Sequence, residues 1–229
     1  MHILMVLTSH SQLGDTDEKT GFWLEEFVAP YYAFLDAGAN ITIAAPQAGQ
    51  PPVDPRSTGP DNQTEVTQRF QHDSEAQAAL ADPVLLDQVN ADNFDALFFP
   101  GGHGPMWDLA SSDTSARLVE SFYAQGKVIG AVCHGPAAMV KAKTPQGESI
   151  LKGKQLTAFT NAEESAVKLD QVVPFALETR LKELGGDFSQ ADVFQPYVVT
   201  DGNLVTGQNP PSSASTAEAV IKLLNQVPA

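Results

Sequence analysis

K-V-I-G-A-V-C-H-G-P-A-A-M, residues 127–139, joins two kinds of sequence. Val128, Ile129, Ala131 and Val132 make a short apolar run of the kind that fills a buried strand. Pro136 and Ala137 to Val140 read as the opening of a helix, whose first turn tolerates proline. Cys133, His134 and Gly135 then lie at a strand-to-helix corner. Such a corner holds its residue out at the carboxyl edge of a sheet, as the nucleophile elbow of hydrolases does. Free N–H groups and a partial positive charge at the start of the helix favour a thiolate there. A free cysteine in an arbitrary strand is more often a small buried hydrophobe. The corner, and the His-Gly that follows, favour the nucleophile. Cys133 is the only cysteine in the chain.

Other strands flank this one. Ile3–Thr8 is a continuous apolar run, and Ile41–Ala45 and Phe94–Phe99 are two more. Leu156–Thr160 reads as a further strand, and Tyr197–Thr200 and Leu204–Thr206 flank Asp201-Gly202-Asn203, a hairpin signal. Helices are expected from Thr20 or Gly21 to about Asp36, over Thr114–Gln125 and Pro174–Leu184, and after a cap at Ser212 or Ser213. The segment from Pro46 to Pro60 is rich in proline and glycine and reads as a long surface excursion, either a lid or a solvated connection. Asp61–Glu75 is a second polar stretch, and Ala76–Val89 holds one or two short helices around Pro83. Alternating strands and helices imply an α/β protein with a mostly parallel sheet covered on both faces. In such sheets the site gathers at the carboxyl ends of the strands. Four polar or glycine-rich segments leave at that edge: Ser9-His10, Gly101–Gly104, Cys133-His134 and Asn161–Glu164.

Composition narrows the function. The 229 residues suffice for one large core, read as a single domain over 1–229. The net charge of -15 argues against nucleic acid and anionic membranes as partners. No apolar run reaches membrane-spanning length, and Ile3–Leu7 lacks the basic flank and the length of a signal peptide. A lone cysteine permits no internal disulfide, which suits the cytoplasm. The five histidines show no metal-binding spacing, so no metal is expected, and no P-loop or dinucleotide motif appears.

Thiol chemistry needs a proton shuttle and an electrophile stabiliser beside the sulfur. His134 is adjacent in sequence, so its ring need not point at the sulfur as a protease base does; it is free to turn toward a shared carboxylate or to reach bound substrate, or is simply a structural histidine. Glu163 or Glu164 supplies that carboxylate from the next strand end, unless both merely stabilise a helix N-terminus. Gly101-Gly102 brings backbone N–H groups toward a developing oxyanion, or is a plain tight turn. Glu25 and Glu26 stand about 100° apart on their helix, so only one faces inward. That one is a buried carboxyl, which a thiol partner would satisfy.

These residues resemble a known family. A-V-C-H-G-P at Ala131–Pro136, T-G-F-W-L-E-E at Thr20–Glu26, P-G-G-H-G-P at Pro100–Pro105 and T-D-G-N-L-V-T-G at Thr200–Gly207 are similar to the ThiJ/PfpI superfamily, with its class I glutamine-amidotransferase-like fold. They look most like its branch of chaperone-like, glutathione-independent glyoxalases. The resemblance implies a flavodoxin-like three-layer sandwich with a cysteine elbow, a homodimer, and no cofactor. It implies Cys133 as nucleophile with His134 beside it, Glu26 as the helix glutamate bonded to the cysteine, and Glu164 as the acidic third member, with Glu163 the alternative. It implies oxyanion donors at the backbone of Gly102 and His134, within a binding segment that includes Gly101 and His103. The implied reaction converts methylglyoxal or a related 2-oxoaldehyde to a 2-hydroxy acid through a cysteine hemithioacetal. The rival readings are a cysteine hydrolase or amidase, and a stress chaperone or redox sensor with an oxidisable cysteine.

Overall fold

The computed structural model describes residues 1–226. In chain order the elements are β1 (His2–Val6), α1 (Leu24–Asp36), β2 (Asn40–Ala45), α2 (Glu65–Gln71), α3 (Ser74–Ala81), β3 (Val84–Leu85), β4 (Ala96–Phe99), α4 (Asp113–Ala124) and β5 (Val128–Val132). There follow β6 (Gln155–Leu156), α5 (Asn161–Ala166), α6 (Leu177–Glu183), β7 (Asp187–Phe188), β8 (Val198–Asp201), β9 (Leu204–Gly207) and α7 (Ser213–Leu224). The central sheet has seven strands in the order β3-β2-β1-β4-β5-β9-β8. All its pairings are parallel except β8 with β9, the hairpin at one edge.

Strand alternation sorts the core into two layers. Ile3, Met5, Phe98, Val128, Val132 and Val205 pack with α1, α3 and α7 on one face. Leu4, Val6, Leu97, Phe99, Ile129 and Ala131 pack with α4 on the other, a cluster that continues to Leu177 and Leu181 of α6. A strand buried on both faces must be apolar throughout, which is why β1, β4 and β5 read as unbroken runs. The result is the three-layer α/β sandwich of flavodoxin type. No described helix is long and apolar enough to cross a membrane.

Three local expectations fail for physical reasons. Helix α1 begins at Leu24, not at Thr20 or Gly21. The preceding residues are held extended instead: Phe22 N–H donates to Pro52 O at 2.9 Å, Trp23 N–H to Gly101 O at 3.2 Å, and Gly21 O accepts from Gly104 at 3.1 Å. Leu156–Thr160 is not a strand of the central sheet. Only Gln155–Leu156 pairs, with β7 in a separate two-stranded sheet, while Thr157 N–H donates to the Thr206 hydroxyl at 2.9 Å. After the cysteine corner comes a 3-10 segment, Gly135–Met139, in place of an α-helix.

Candidate active site

The corner itself is strained. Cys133 has φ 60°, a left-handed conformation costing on the order of 1–3 kcal/mol for a residue other than glycine. Backbone bonds hold it there: Cys133 N–H donates to Gly207 O at 2.9 Å, and Phe159 N–H donates to Cys133 O at 3.0 Å. The sulfur faces a cavity of about 390 Å³ lined by Trp23, Glu26, Gly102, His134, Phe159 and Phe194, among others.

His134 uses both ring nitrogens. Nδ1 lies 3.4 Å from Cys133 Sγ, and Nε2 lies 2.6 Å from Glu164 Oε2. The other oxygen of Glu164 is 2.6 Å from Nε2 of His103, so two imidazoles grip one carboxylate. The two rings pack with centroids 4.0 Å apart. Burial works against charge on Glu164, but His134 and His103 outweigh it and hold the carboxyl well below the usual carboxylate range. Burial, followed by the neighbouring His134, pushes His103 down to about 4. The His103 side chain therefore faces Glu164, a contact the sequence did not suggest.

Helix α1 supplies Glu26, which is buried, while Glu25 points away to accept from the Thr64 hydroxyl at 2.6 Å. Burial pushes the Glu26 carboxyl up to about 8, against the lowering influence of the neighbouring Cys133 thiol and of the Gly101 backbone. Its Oε2 is buried and completes no regular hydrogen bond. Close approach explains the glycines beneath it. A Cβ on Gly101 would fall 2.3 Å from Glu26 Oε2, and Gly102 has φ +89°. Among the described residues neither the Gly102 nor the His134 amide bonds to a backbone carbonyl.

The expected thiolate is not what this environment favours. A single 3-10 segment has little macrodipole, and burial, followed by Glu26, pushes the Cys133 thiol well above its ordinary value. His134 Nδ1, 3.4 Å from the sulfur, is the atom positioned to exchange a proton with it.

The adjacent glutamates divide their tasks. Thr160 caps α5, its hydroxyl accepting from Glu163 N–H, while Glu163 Oε2 accepts in return from Thr160 N–H at 2.9 Å. Glu163 Oε1 accepts from Phe194 N–H at 2.9 Å, Asn209 Nδ2 at 2.8 Å and Gln208 Nε2 at 3.1 Å. Glu163 ties loops together, and Glu164, about 100° further round the helix, faces the histidines.

Three of the four strand-end segments meet at the site. Ser9-His10 does not join: Ser9 N–H donates to Asp108 at 2.7 Å, and His10 stacks on Trp107 at 5.0 Å. Its place is taken by the Pro46–Pro60 excursion, which brings in Asp54 and Arg56. Phe159 stacks against His134 at 4.5 Å, and Phe194 lies 6.2 Å beyond it, building an apolar wall. Sequence reasoning missed this wall, since Phe194 sits in an irregular loop without periodicity.

A parallel sheet thus carries a strained cysteine at the end of a central strand, with a histidine and carboxylates around it. The chain matches the DJ-1/PfpI family over residues 19–223 and belongs to it. Within that family it is similar to a glutathione-independent glyoxalase of Schizosaccharomyces pombe, 32% identical over 90% of this chain and 88% of the relative. Its fold matches the Rapid Encystment Protein 24 KDa of Francisella tularensis at a TM-score of 0.93 and 39% identity, covering 97% of this chain and 98% of that one. It matches glyoxalase III from Candida albicans at a TM-score of 0.89 and 29% identity, covering 97% of both.

Proposed function

We propose that this protein is a glutathione-independent glyoxalase that converts methylglyoxal or a similar 2-oxoaldehyde to the 2-hydroxy acid. One observation carries the reading: a thiol, an imidazole 3.4 Å from it, and a buried carboxyl pushed up to about 8 share one cavity. The thiol replaces the glutathione that the reaction otherwise requires.

His134 Nδ1 takes the Cys133 proton as sulfur attacks the aldehyde carbon. The proton passes to the new hydroxyl, giving a hemithioacetal, while Glu164 balances the transient charge on the imidazole. The Gly102 and His134 amides face the developing oxyanion. Glu26 then removes the C1 hydrogen as a proton, and the electron pair forms the enediolate. A carboxyl with a pKa near 8 both accepts and donates protons at neutral pH, so Glu26 returns the proton to C2. The proton of the C1 hydroxyl passes to the oxygen on C2, which becomes the product hydroxyl and leaves a thioester at C1, and water cleaves the thioester to acid and free thiol. The same reading includes a single domain over 1–229, a homodimer, and a cytoplasmic setting, which the lone unpaired cysteine supports.

The test is lactate formation from methylglyoxal without glutathione. The purified protein should produce it and Cys133→Ala should not. Ester or amide cleavage that depends on Cys133, with no lactate, would overturn the reading in favour of a hydrolase.

A further inference from the structure

A line of polar contacts, buried except at Arg56, runs from the proline-rich excursion to the sulfur, and the chemistry above uses only its last links. Asp54, fully buried, accepts from the Thr20 hydroxyl at 2.9 Å and from the Arg56 amide at 2.9 Å. It grips the Arg56 guanidinium at both ends, Nε at 3.0 Å and Nη2 at 2.5 Å. Nη2 of Arg56 also lies 3.3 Å from His103 Nδ1, on the far side of the ring from Glu164.

We propose that Arg56 is a positioning residue: it locks His103 in the tautomer that donates from Nε2, so that Glu164 is clamped from both sides and holds His134 with Nδ1 toward Cys133. The donor rules leave little freedom. A guanidinium has no acceptor, so the ring nitrogen facing it must be the bare one. The opposite nitrogen then carries the hydrogen and donates to Glu164. In the other tautomer an N–H would face an N–H at Arg56, and a lone pair would face a carboxylate at Glu164. Asp54 makes the lock stiff, because a doubly held fork cannot turn away. The excursion between Pro46 and Pro60 thus acts on the sulfur through three side chains.

The charged and titratable groups around the lock are few. Glu164, His134 and Arg56 face His103, and Asp54 faces Arg56, with Glu18 and Glu164 at longer range. Removing the guanidinium removes a cation beside His103, which raises the pH at which that ring titrates.

The experiment is nitrogen-15 NMR of the histidine rings, combined with kinetics. Wild type should show one His103 tautomer, with Nε2 protonated and Nδ1 bare, from about pH 6 to 8. Arg56→Met should give mixed or doubly protonated rings at about pH 6, with kcat down about tenfold and KM changed less than about twofold, as for other groups that orient a catalytic imidazole. Arg56→Lys keeps a donor and should restore the single tautomer. Asp54→Asn should shift the ring in the same direction, and it carries the test if Arg56→Met does not fold. An unchanged single tautomer in a folded Arg56→Met protein overturns the proposal. So does a rise in KM alone, which would make Arg56 a substrate contact. The proposal rests on Cys133 and His134 as the reacting pair and not on the aldehyde. Iodoacetamide alkylation of Cys133, slowed in Arg56→Met and restored in Arg56→Lys, reads the same pair if no glyoxalase activity exists, and an unslowed rate in Arg56→Met counts against it.

Discussion

Replacing Glu26 with glutamine should make the protein more stable as it makes it less active, and the gain should depend on pH in a calculable way. The folded protein holds this carboxyl at about 8 against an ordinary 4.5. Below about 4.5 both folded and unfolded chains keep the proton, and burial of the neutral acid is undisturbed. As the pH rises toward 8 the unfolded chain ionises and the folded one does not, so stability drains away by about 1.4 kcal/mol per pH unit. Glutamine does not titrate. The stability of Glu26→Gln relative to wild type should therefore grow by about 3 kcal/mol between about pH 5 and 7.5. For a chain of this size that is a relative rise in Tm of roughly 6–12 °C. Any fixed cost of the amide's fit beside Cys133 cancels, because only the difference between the two pH values is used. Thermal melts of both proteins at both pH values measure it. A Tm difference that stays constant with pH would mean that the folded protein does not hold the Glu26 carboxyl above its ordinary range, and the raised value near 8 on which its return of the proton to C2 rests would fall.

Other consequences are equally open to measurement. Glu164→Gln should lower kcat by roughly 10²–10⁴, because the amide puts a donor against an imidazole N–H. Glu163→Gln should instead cost about 3 kcal/mol in urea unfolding, since it places a donor among five donors; matching kinetic losses in the two variants would erase the division of tasks. Labelling of Cys133 by iodoacetamide should keep accelerating beyond about pH 8.5, the value of a free cysteine, as burial holds the thiol up. A plateau reached below that pH would indicate a preformed thiolate. In heavy water, the lactate formed from methylglyoxal should carry deuterium at C2, detectable by NMR, and full protium retention would exclude an exchanging Glu26.

The parts of the fold legible in the sequence are those whose cause is local. Leu4–Val6, Leu97–Phe99 and Val128–Val132 are apolar on both faces, so they could only be interior strands. Asp201-Gly202-Asn203 turns β8 into β9 with Gly202 at φ 58°. Cys133 was legible for the same reason, as a corner residue between two patterns. What stayed hidden depends on distant partners. Thr20–Trp23 has the composition of a helix start but is held extended by Pro52 and Gly101. Phe159 follows an apolar run, yet its N–H goes to Cys133 rather than to a neighbouring strand. The choice between Glu163 and Glu164 rests on a rotation of about 100°, which only the capping of α5 by Thr160 fixes. Arg56 carried no periodic signal, being one charge in a proline-rich loop, and its bond to His103 spans 47 positions.

The grip of Glu163 on Phe194 has an evolutionary consequence. The carboxylate holds the backbone N–H of Phe194, not its ring. The position of the loop is thereby decoupled from the identity of the side chain it presents to the cavity. Selection, or a designed library, can vary the residue at 194 and so reshape the apolar wall, while Glu163 keeps the segment in place and Glu164 next to it stays on its histidines. One pair of neighbouring carboxylates separates the part of the pocket free to diversify from the part that is not.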